Sequence, residues 1–551
     1  MGTGRKRRQS NYLVQGSILA AASIIVRLIG AVYRIPLTRI LGDRGNSYYS
    51  CAFELYSMML LISSYSLPLA VSKLVAARIG AGQRKNAQRI YKGAMVFAGM
   101  IGTVIAVITY LGADFFTGKI LSTPESAMAL KVIAPAIVLV AFIGVYRGYF
   151  QGMGTMMPTA VSQIIEQVVK TAVGLLAAYY MVRYGMKISA ILGSEVWGAA
   201  YGAAGATFGV VAASLVTMLF LMWIWSLYRR VNRRAMAKDH TRKQESYKEV
   251  YWILFLTIVP VVLSTAVYNI SGILDQGVFK NLMYANGFEA AMVDTQWGIF
   301  SGKFKVLTNI PIAIASAMAA STVPVLTRAM AEGATGMVKK RTDLSIRFTM
   351  ILTIPCAAGF FALAAPVQQL LFHDSSELPA QLLRLGAVSV VFYSLSTLTN
   401  GILQGINRMR IPVRNAAISL VTHLAFLVLL LQVFHMDIKA VIWANIFFSL
   451  MMCILNGLAI RKHMGYRQEI RRTFVIPALS SAVMGIAVFL IYTGLMKLIK
   501  SNTVSVLIAI VLGALIYMCV LLLLKGVNEQ ELQNFPKGNL IARIAKKMHI
   551  L

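Results

Sequence analysis

Ten charged side chains fall inside stretches otherwise apolar enough to enter a membrane: Arg27, Arg34 and Arg39, Glu54 and Lys73, Glu166 and Lys170, Asp275, and Lys303 and Lys305. Insertion costs roughly 2.5 to 3.5 kcal/mol for such a residue at mid-helix, so each is expected to face a watery cavity or another charge. Seven are basic and three acidic. A cavity with that surplus suits an anion, and guanidinium groups suit phosphate through paired hydrogen bonds. These residue types predict capture of a phosphate or diphosphate; a pump for organic cations would be expected to place carboxylates there instead.

Spacing separates the arginines. Arg27 and Arg34 are seven residues apart, two helical turns, which puts them on one face about 10 Å apart along the axis. Arg39 lies beyond Pro36, where it can snorkel to the interface, so an anchoring and a binding role stand equal. Glu166 and Lys170, four residues apart, can neutralise each other on one helix, and this reading stands level with a cavity role. No enzyme motif is found: no P-loop, no H-E-x-x-H, and no Ser, His and Asp grouping in a plausible context. His423 reads as a packing or hydrogen-bonding residue. Cys51, Cys356, Cys453 and Cys519 are isolated, without the spacing of a zinc site or a disulfide framework. A non-enzyme without metal or cofactor is expected.

The elements that must position these charges are membrane helices. The chain of 551 residues is 58% hydrophobic and 13% charged, with a mean hydropathy of +0.69, which marks an integral membrane protein. Lys and Arg outnumber Asp and Glu by 53 to 20, and in a membrane protein that excess reports orientation before it suggests nucleic acid. Fourteen apolar spans are read, beginning near residues 13, 48, 91, 129, 158, 198, 250, 297, 345, 385, 411, 437, 474 and 503. With the amino terminus inside, inner segments carry 36 Lys and Arg and outer loops 10. Both termini are therefore expected in the cytoplasm of a multi-pass cell-membrane protein. The leading "MGTGRKRRQS" reads as an inner-face anchor without a cleavage site, so the first apolar segment is expected to be retained.

The basic stretch at residues 226–250 divides the chain, and together with the tail from Lys525 it is expected to meet anionic head groups. An N-lobe at 1–228, a linker at 229–249, a C-lobe at 250–470, and two extra helices with a tail at 471–551 are expected. The fold class is thus all-α, with two pseudo-symmetric six-helix lobes around a central cavity. An internal repeat supports the division. "GYFQGMGTMMP" from Gly148 and "GILQGINRMRIP" from Gly401 share a G-x-x-Q-G core 253 residues apart, and "SKLVAARIGAGQRKNAQR" from Ser72 pairs with "TVPVLTRAMAEGATGMVKKR" from Thr322. An even number of spans separates the copies, which makes the repeats parallel. Pro36, Pro68, Pro260, Pro311 and Pro324 lie within spans and predict bent helices lining a cavity.

The stretches "RLIGAVYRIPLTRILG", "AFELYSMMLLISSYSLPLAVSKLVAARI", "SQIIEQVVK" and "WGIFSGKFKVLTNIPIAIASAMAASTVPVLT" together resemble the polysaccharide-exporter branch of the multidrug/oligosaccharidyl-lipid/polysaccharide (MOP) flippase superfamily. Within it they are most similar to the stage V sporulation protein B-like group, which includes MurJ-type lipid II flippases. The resemblance implies fourteen helices in two lobes, and transfer of an undecaprenyl-diphosphate-linked precursor from the inner to the outer leaflet. It implies that Arg27, in the R-x-x-G motif, contacts the diphosphate, joined by Lys305 where relatives often have Arg. It also implies a groove for the lipid tail in the last two helices. Another undecaprenyl-linked unit or a spore-cortex precursor is an alternative cargo. A drug or cation antiporter and a non-transporting scaffold are less favoured readings. Some members bind sodium through carboxylates of the seventh and eleventh helices. Asp275 supplies the first, but residues 411–436 contain no Asp or Glu, so membrane potential is a second energy source to weigh beside a sodium or proton gradient. Expected partners are the glycolipid and membrane lipids, with no nucleic acid. A monomer is expected, and cell-wall synthesis machinery is a candidate associate.

Overall fold

The computed structural model describes residues 2–527 apart from Lys238, His240, Arg242 and Lys243; for residues 1–17, 20, 260, 261 and 263–269 no side chain is described. The amino-terminal cations, the Pro260 side chain, part of the basic linker and residues 528–551 of the tail therefore lie outside the described residues. All regular structure among the described residues is helical. Among the described residues, twelve helical stretches are long and apolar enough to cross a membrane, against the fourteen expected. The first of them, Ala21–Gly80, is 60 residues long and contains two of the expected spans, since about 20 suffice for one. The expected seventh span falls in a 39-residue helix, Tyr247–Ala285, part of whose side chains are not described.

Two compact units meet at the Gly302–Lys303 bond, further along than the 229–249 linker. The first contains α1 (Gly2–Ser63), α2 (Leu67–Gly80), α3 (Arg84–Leu111), α4 (Ala127–Ile133), α5 (Pro135–Gly152), α6 (Met157–Leu192), α7 (Val196–Ala237), α8 (Tyr247–Ala285) and α9 (Ala290–Ile299). The second contains α10 (Lys305–Ala331), α11 (Thr335–Ala362), α12 (Ala364–Phe372), α13 (Glu377–Gly405), α14 (Arg410–Gln432), α15 (Lys439–Met464), α16 (Ile476–Ile499) and α17 (Asn502–Leu523).

Breaks in the helices follow from local chemistry. Within α1 the axis is interrupted at Gly42, whose φ of 66° and ψ of 179° belong to a region open in practice to glycine alone. The chain breaks again before Pro68, which occupies the first turn of α2, where its missing N–H costs nothing. Pro36, Pro311 and Pro324 lie inside helices. A π-helical turn at Phe300–Phe304 separates α9 from α10, a feature common at functional sites.

Small residues let the helices pack backbone to backbone. A Cβ on Gly209 of α7 would stand 2.4 Å from the Gly174 Cα of α6. The G-x-x-Q-G repeat does the same job in each unit. On α5, a Cβ at Gly148 would lie 2.7 Å from the Pro68 carbonyl oxygen and one at Gly152 2.7 Å from the Val75 side chain, both on α2. On α13, Gly401 and Gly405 face Ala319 and Leu326 of α10 at 2.9 and 3.0 Å.

The acidic residues of the basic linker tie it to the α2–α3 turn. Glu245 pairs with Arg78 and its carbonyl accepts from Arg89 at 2.6 Å, while Asp239 accepts from the Lys85 amide at 2.7 Å. Burial raises the Asp239 pKa, but hydrogen bonds from Thr241 and from the Lys85 amide outweigh it and hold the group at about 2.

Candidate functional site

In the first unit, Ser23, Arg27, Gly30 and Arg34 follow a helical spacing of four, three and four, so they share one face of α1. That face meets α6. Ser23 donates to Gln163 at 3.4 Å, and a Cβ on Gly30 would stand 3.4 Å from the Gln167 amide nitrogen. Arg27 is exposed. Arg34 is half-buried, its guanidinium 4.8 Å from the centre of the Tyr49 ring, a cation–π contact that leaves its N–H groups available. Lys170 of α6 stands 4.9 Å from the Phe53 ring centre and 5.9 Å from that of Tyr33. Arg34 Nη1, Gln167 Nε2 and Thr171 Oγ1 are buried without a hydrogen-bond partner among the described residues. All three can donate, so the seam between α1 and α6 carries a surplus of donors.

Glu166 does not neutralise Lys170. Its carboxylate lies 2.7 Å from Arg147 Nη2 of α5, and Arg147 Nε also donates to Ser162 at 2.9 Å. A guanidinium from a neighbouring helix, held in place by its second bond to Ser162, takes Glu166 in place of the i, i+4 partner. Lys170 stands instead against the Phe53 and Tyr33 rings. Glu54 is half-buried against α8, where a Cβ on Gly272 would meet its carboxylate at 3.4 Å. Lys73 and Arg39 are exposed, on α2 and near the Gly42 break respectively. Asp275 of α8 is buried beside Gln276, whose amide has no hydrogen-bond partner among the described residues.

A further buried pair stands apart from the ten charges expected. Lys280 of α8 is fully buried and lies 2.5 Å from Asp294 of α9, 2.9 Å from Ser47 Oγ and 2.7 Å from Thr123 Oγ1. All three ammonium donors are therefore taken. The signal the sequence offers for this pair is an opposite charge on each side of the short turn from α8 to α9.

In the second unit, Lys303 sits in the π-helical turn, buried and ion-paired with Asp374 from the turn between α12 and α13. Burial raises the Asp374 pKa, but hydrogen bonds from Lys303 and Ser376 lower it below the ordinary carboxylate value. The structure therefore gives Lys303 a protein counter-charge. Lys305 is half-buried at the first position of α10. No cluster of three potential metal ligands occurs among the described residues.

This helical membrane fold is shared by solved structures of a flippase and of a multidrug transporter. A lipid II flippase MurJ in an inward closed conformation aligns with a TM-score of 0.66 and 12% identity, over 91% of this chain and 97% of that one. An inward-facing multidrug resistance MATE family transporter of the MOP superfamily aligns at 0.62 and 16%, over 80% and 94%. The profile of the polysaccharide biosynthesis protein family matches residues 13–330 and that of the MatE family residues 305–429. The chain belongs to the polysaccharide biosynthesis protein family. Among its relatives, the lipid II flippase MurJ of Bacillus subtilis (strain 168) is 26% identical over 87% of this chain and 88% of its own length. Stage V sporulation protein B of the same organism is 23% identical over 97% and 100%.

Proposed function

We propose that the protein moves an undecaprenyl-diphosphate-linked oligosaccharide, lipid II first among the candidates, from the inner to the outer leaflet of the cell membrane by alternating access, making and breaking no covalent bond. The observation that carries this reading is the donor surplus at the α1–α6 seam: Arg34 and Gln167 present buried N–H groups without partners, and the nearest carboxylate on α6, Glu166, is already held by Arg147. Such a seam favours a diphosphate and disfavours an organic cation. Arg27 and Arg34 are assigned to the diphosphate, with Lys170 supporting them. Lys303, held by Asp374, is assigned a structural role. Membrane potential is the favoured driving force, since an anion leaving an inside-negative cell gains roughly 2.3 kcal/mol per charge per 100 mV.

The test is complementation of a strain depleted of its lipid II flippase, read as inner-leaflet lipid II. Wild-type protein is expected to restore growth and clear the accumulated lipid. Arg27→Ala and Arg34→Ala, present in the membrane at normal levels, are expected to fail. Complementation by both variants would refute the assignment. The relative of the sporulation type supports a second cargo, a spore-cortex precursor, which the same diphosphate site would hold.

A further inference from the structure

The second unit carries a cavity of about 770 Å³ where α13 turns into α14, walled on its other side by the end of α15. Its rim is cationic: Arg408, Arg410 and Arg414 come from the turn and α14, Lys462 and His463 from α15. No carboxylate among the described residues pairs with any of them. Five neighbouring groups able to carry positive charge, without a protein counter-charge, repel one another and favour an anion.

The floor is a fixed polar surface. Asn415 lines the cavity, is 1% exposed and donates to Asn456 at 2.9 Å; Asn456 in turn donates to Asn400 at 2.8 Å. The α15 wall is apolar and extends beyond the cavity. Leu458 lines it and is 58% exposed, while Ile454 and Leu450, four and eight residues earlier on the same helical face, are 50% and 37% exposed. A cationic pocket that opens onto an apolar lane matches an amphiphile; a free inorganic anion would leave the lane unused.

The internal repeat shows that the turn itself does not require this charge. The equivalent turn after the first G-x-x-Q-G motif contains no Lys or Arg between residues 151 and 161. Both turns are expected on the same membrane side, so orientation by charge does not explain the difference.

We propose that this cavity is a binding site for an anionic phospholipid of the leaflet on that side, its phosphate among Arg408, Arg410 and Arg414 and an acyl chain along Leu458, Ile454 and Leu450. The experiment is native mass spectrometry of the full-length protein titrated separately with phosphatidylglycerol and with phosphatidylcholine of the same chains. Phosphatidylglycerol is expected to bind preferentially. Removing three cations in Arg408→Gln/Arg410→Gln/Arg414→Gln is expected to weaken it roughly a hundredfold and leave phosphatidylcholine unchanged. The equally discharged Arg229→Gln/Arg230→Gln/Arg233→Gln is expected to retain the preference. If the first triple variant does not accumulate, Lys462→Gln/His463→Gln provides the measurement, again with selective loss of phosphatidylglycerol expected. Unchanged binding in the cavity variant, or equal loss in both triple variants, would overturn the site. Displacement by millimolar glycerol phosphate would show a soluble-phosphate site and overturn the lipid assignment.

Discussion

Removing the Lys280 ammonium should loosen the first unit where α1, α8 and α9 meet, and Cys51 reports it. Lys280→Met leaves the Asp294 carboxylate, 5% exposed at its side chain, without its counter-ion. Breaking a buried pair by deleting one partner costs about 3 to 5 kcal/mol, because the remaining charge is stranded. Cys51 lies one turn beyond Ser47, a ligand of the same ammonium, and is fully buried with a free thiol. If opening precedes labelling, 3 kcal/mol raises the labelling rate by about a hundredfold. The assay is maleimide modification of a protein retaining Cys51 alone, with Cys356, Cys453 and Cys519 replaced by Ala. Lys280→Met/Asp294→Leu strands no charge and is expected to return to within about tenfold of the parent, since an apolar replacement of a buried pair is often neutral or stabilising. Labelling of Lys280→Met at the parental rate, or of the double variant as fast as the single, would refute the reasoning.

Other expectations follow from individual contacts. Arg34→Lys keeps the charge but loses the planar fork, so complementation is expected to fall between wild type and Arg34→Ala, measured as growth rate under flippase depletion. Arg147→Met strands Glu166 at its 30% exposed side chain; a loss of about 1 to 3 kcal/mol is expected in detergent denaturation, with Arg147→Met/Glu166→Gln recovering most of it. Gly298→Ala would bring a Cβ to 1.7 Å from the Asp43 carbonyl oxygen, so α9 must move away from α1; lower yield and earlier thermal aggregation are expected. Asp239 has a depressed folded-state pKa, so its contribution to linker docking is complete above the ordinary value of 3.8 and is lost as pH falls toward about 2. Hydrogen exchange at the Lys85 and Thr241 amides is expected to accelerate across that window beyond its intrinsic pH dependence, and Asp239→Asn is expected to produce the acceleration at neutral pH.

Features written in short-range patterns were legible in the sequence. Membrane helices, their basic connections and the Arg27–Arg34 face all follow from spacing and composition, and the G-x-x-Q-G motifs proved to be two copies of one close packing. Partnerships across helices were not. The spacing of Glu166 and Lys170 suggested a local pair, yet Arg147, nineteen residues before Glu166, reaches it from another helix, a choice made by packing. Lys280 and Asp294 look like loop charges because each stands beside a turn; only the fold shows that the turn is covered. The π-helical turn over "FSGKF" has no propensity signature, and the division at Gly302 lies within an apolar stretch where composition does not change.

The two glycine pairs have a mechanical consequence. Where Gly148 and Gly152 seat α5 on α2, and Gly401 and Gly405 seat α13 on α10, no thickness of flexible side chain separates the backbones to absorb sliding. Each pair should travel as a single girder, so that any swing between conformations is borne at looser seams and at the interruptions in α1 and before α10. A bulkier residue at any of these four glycines would pry a girder apart, and would be felt along the whole length of two helices rather than at one point.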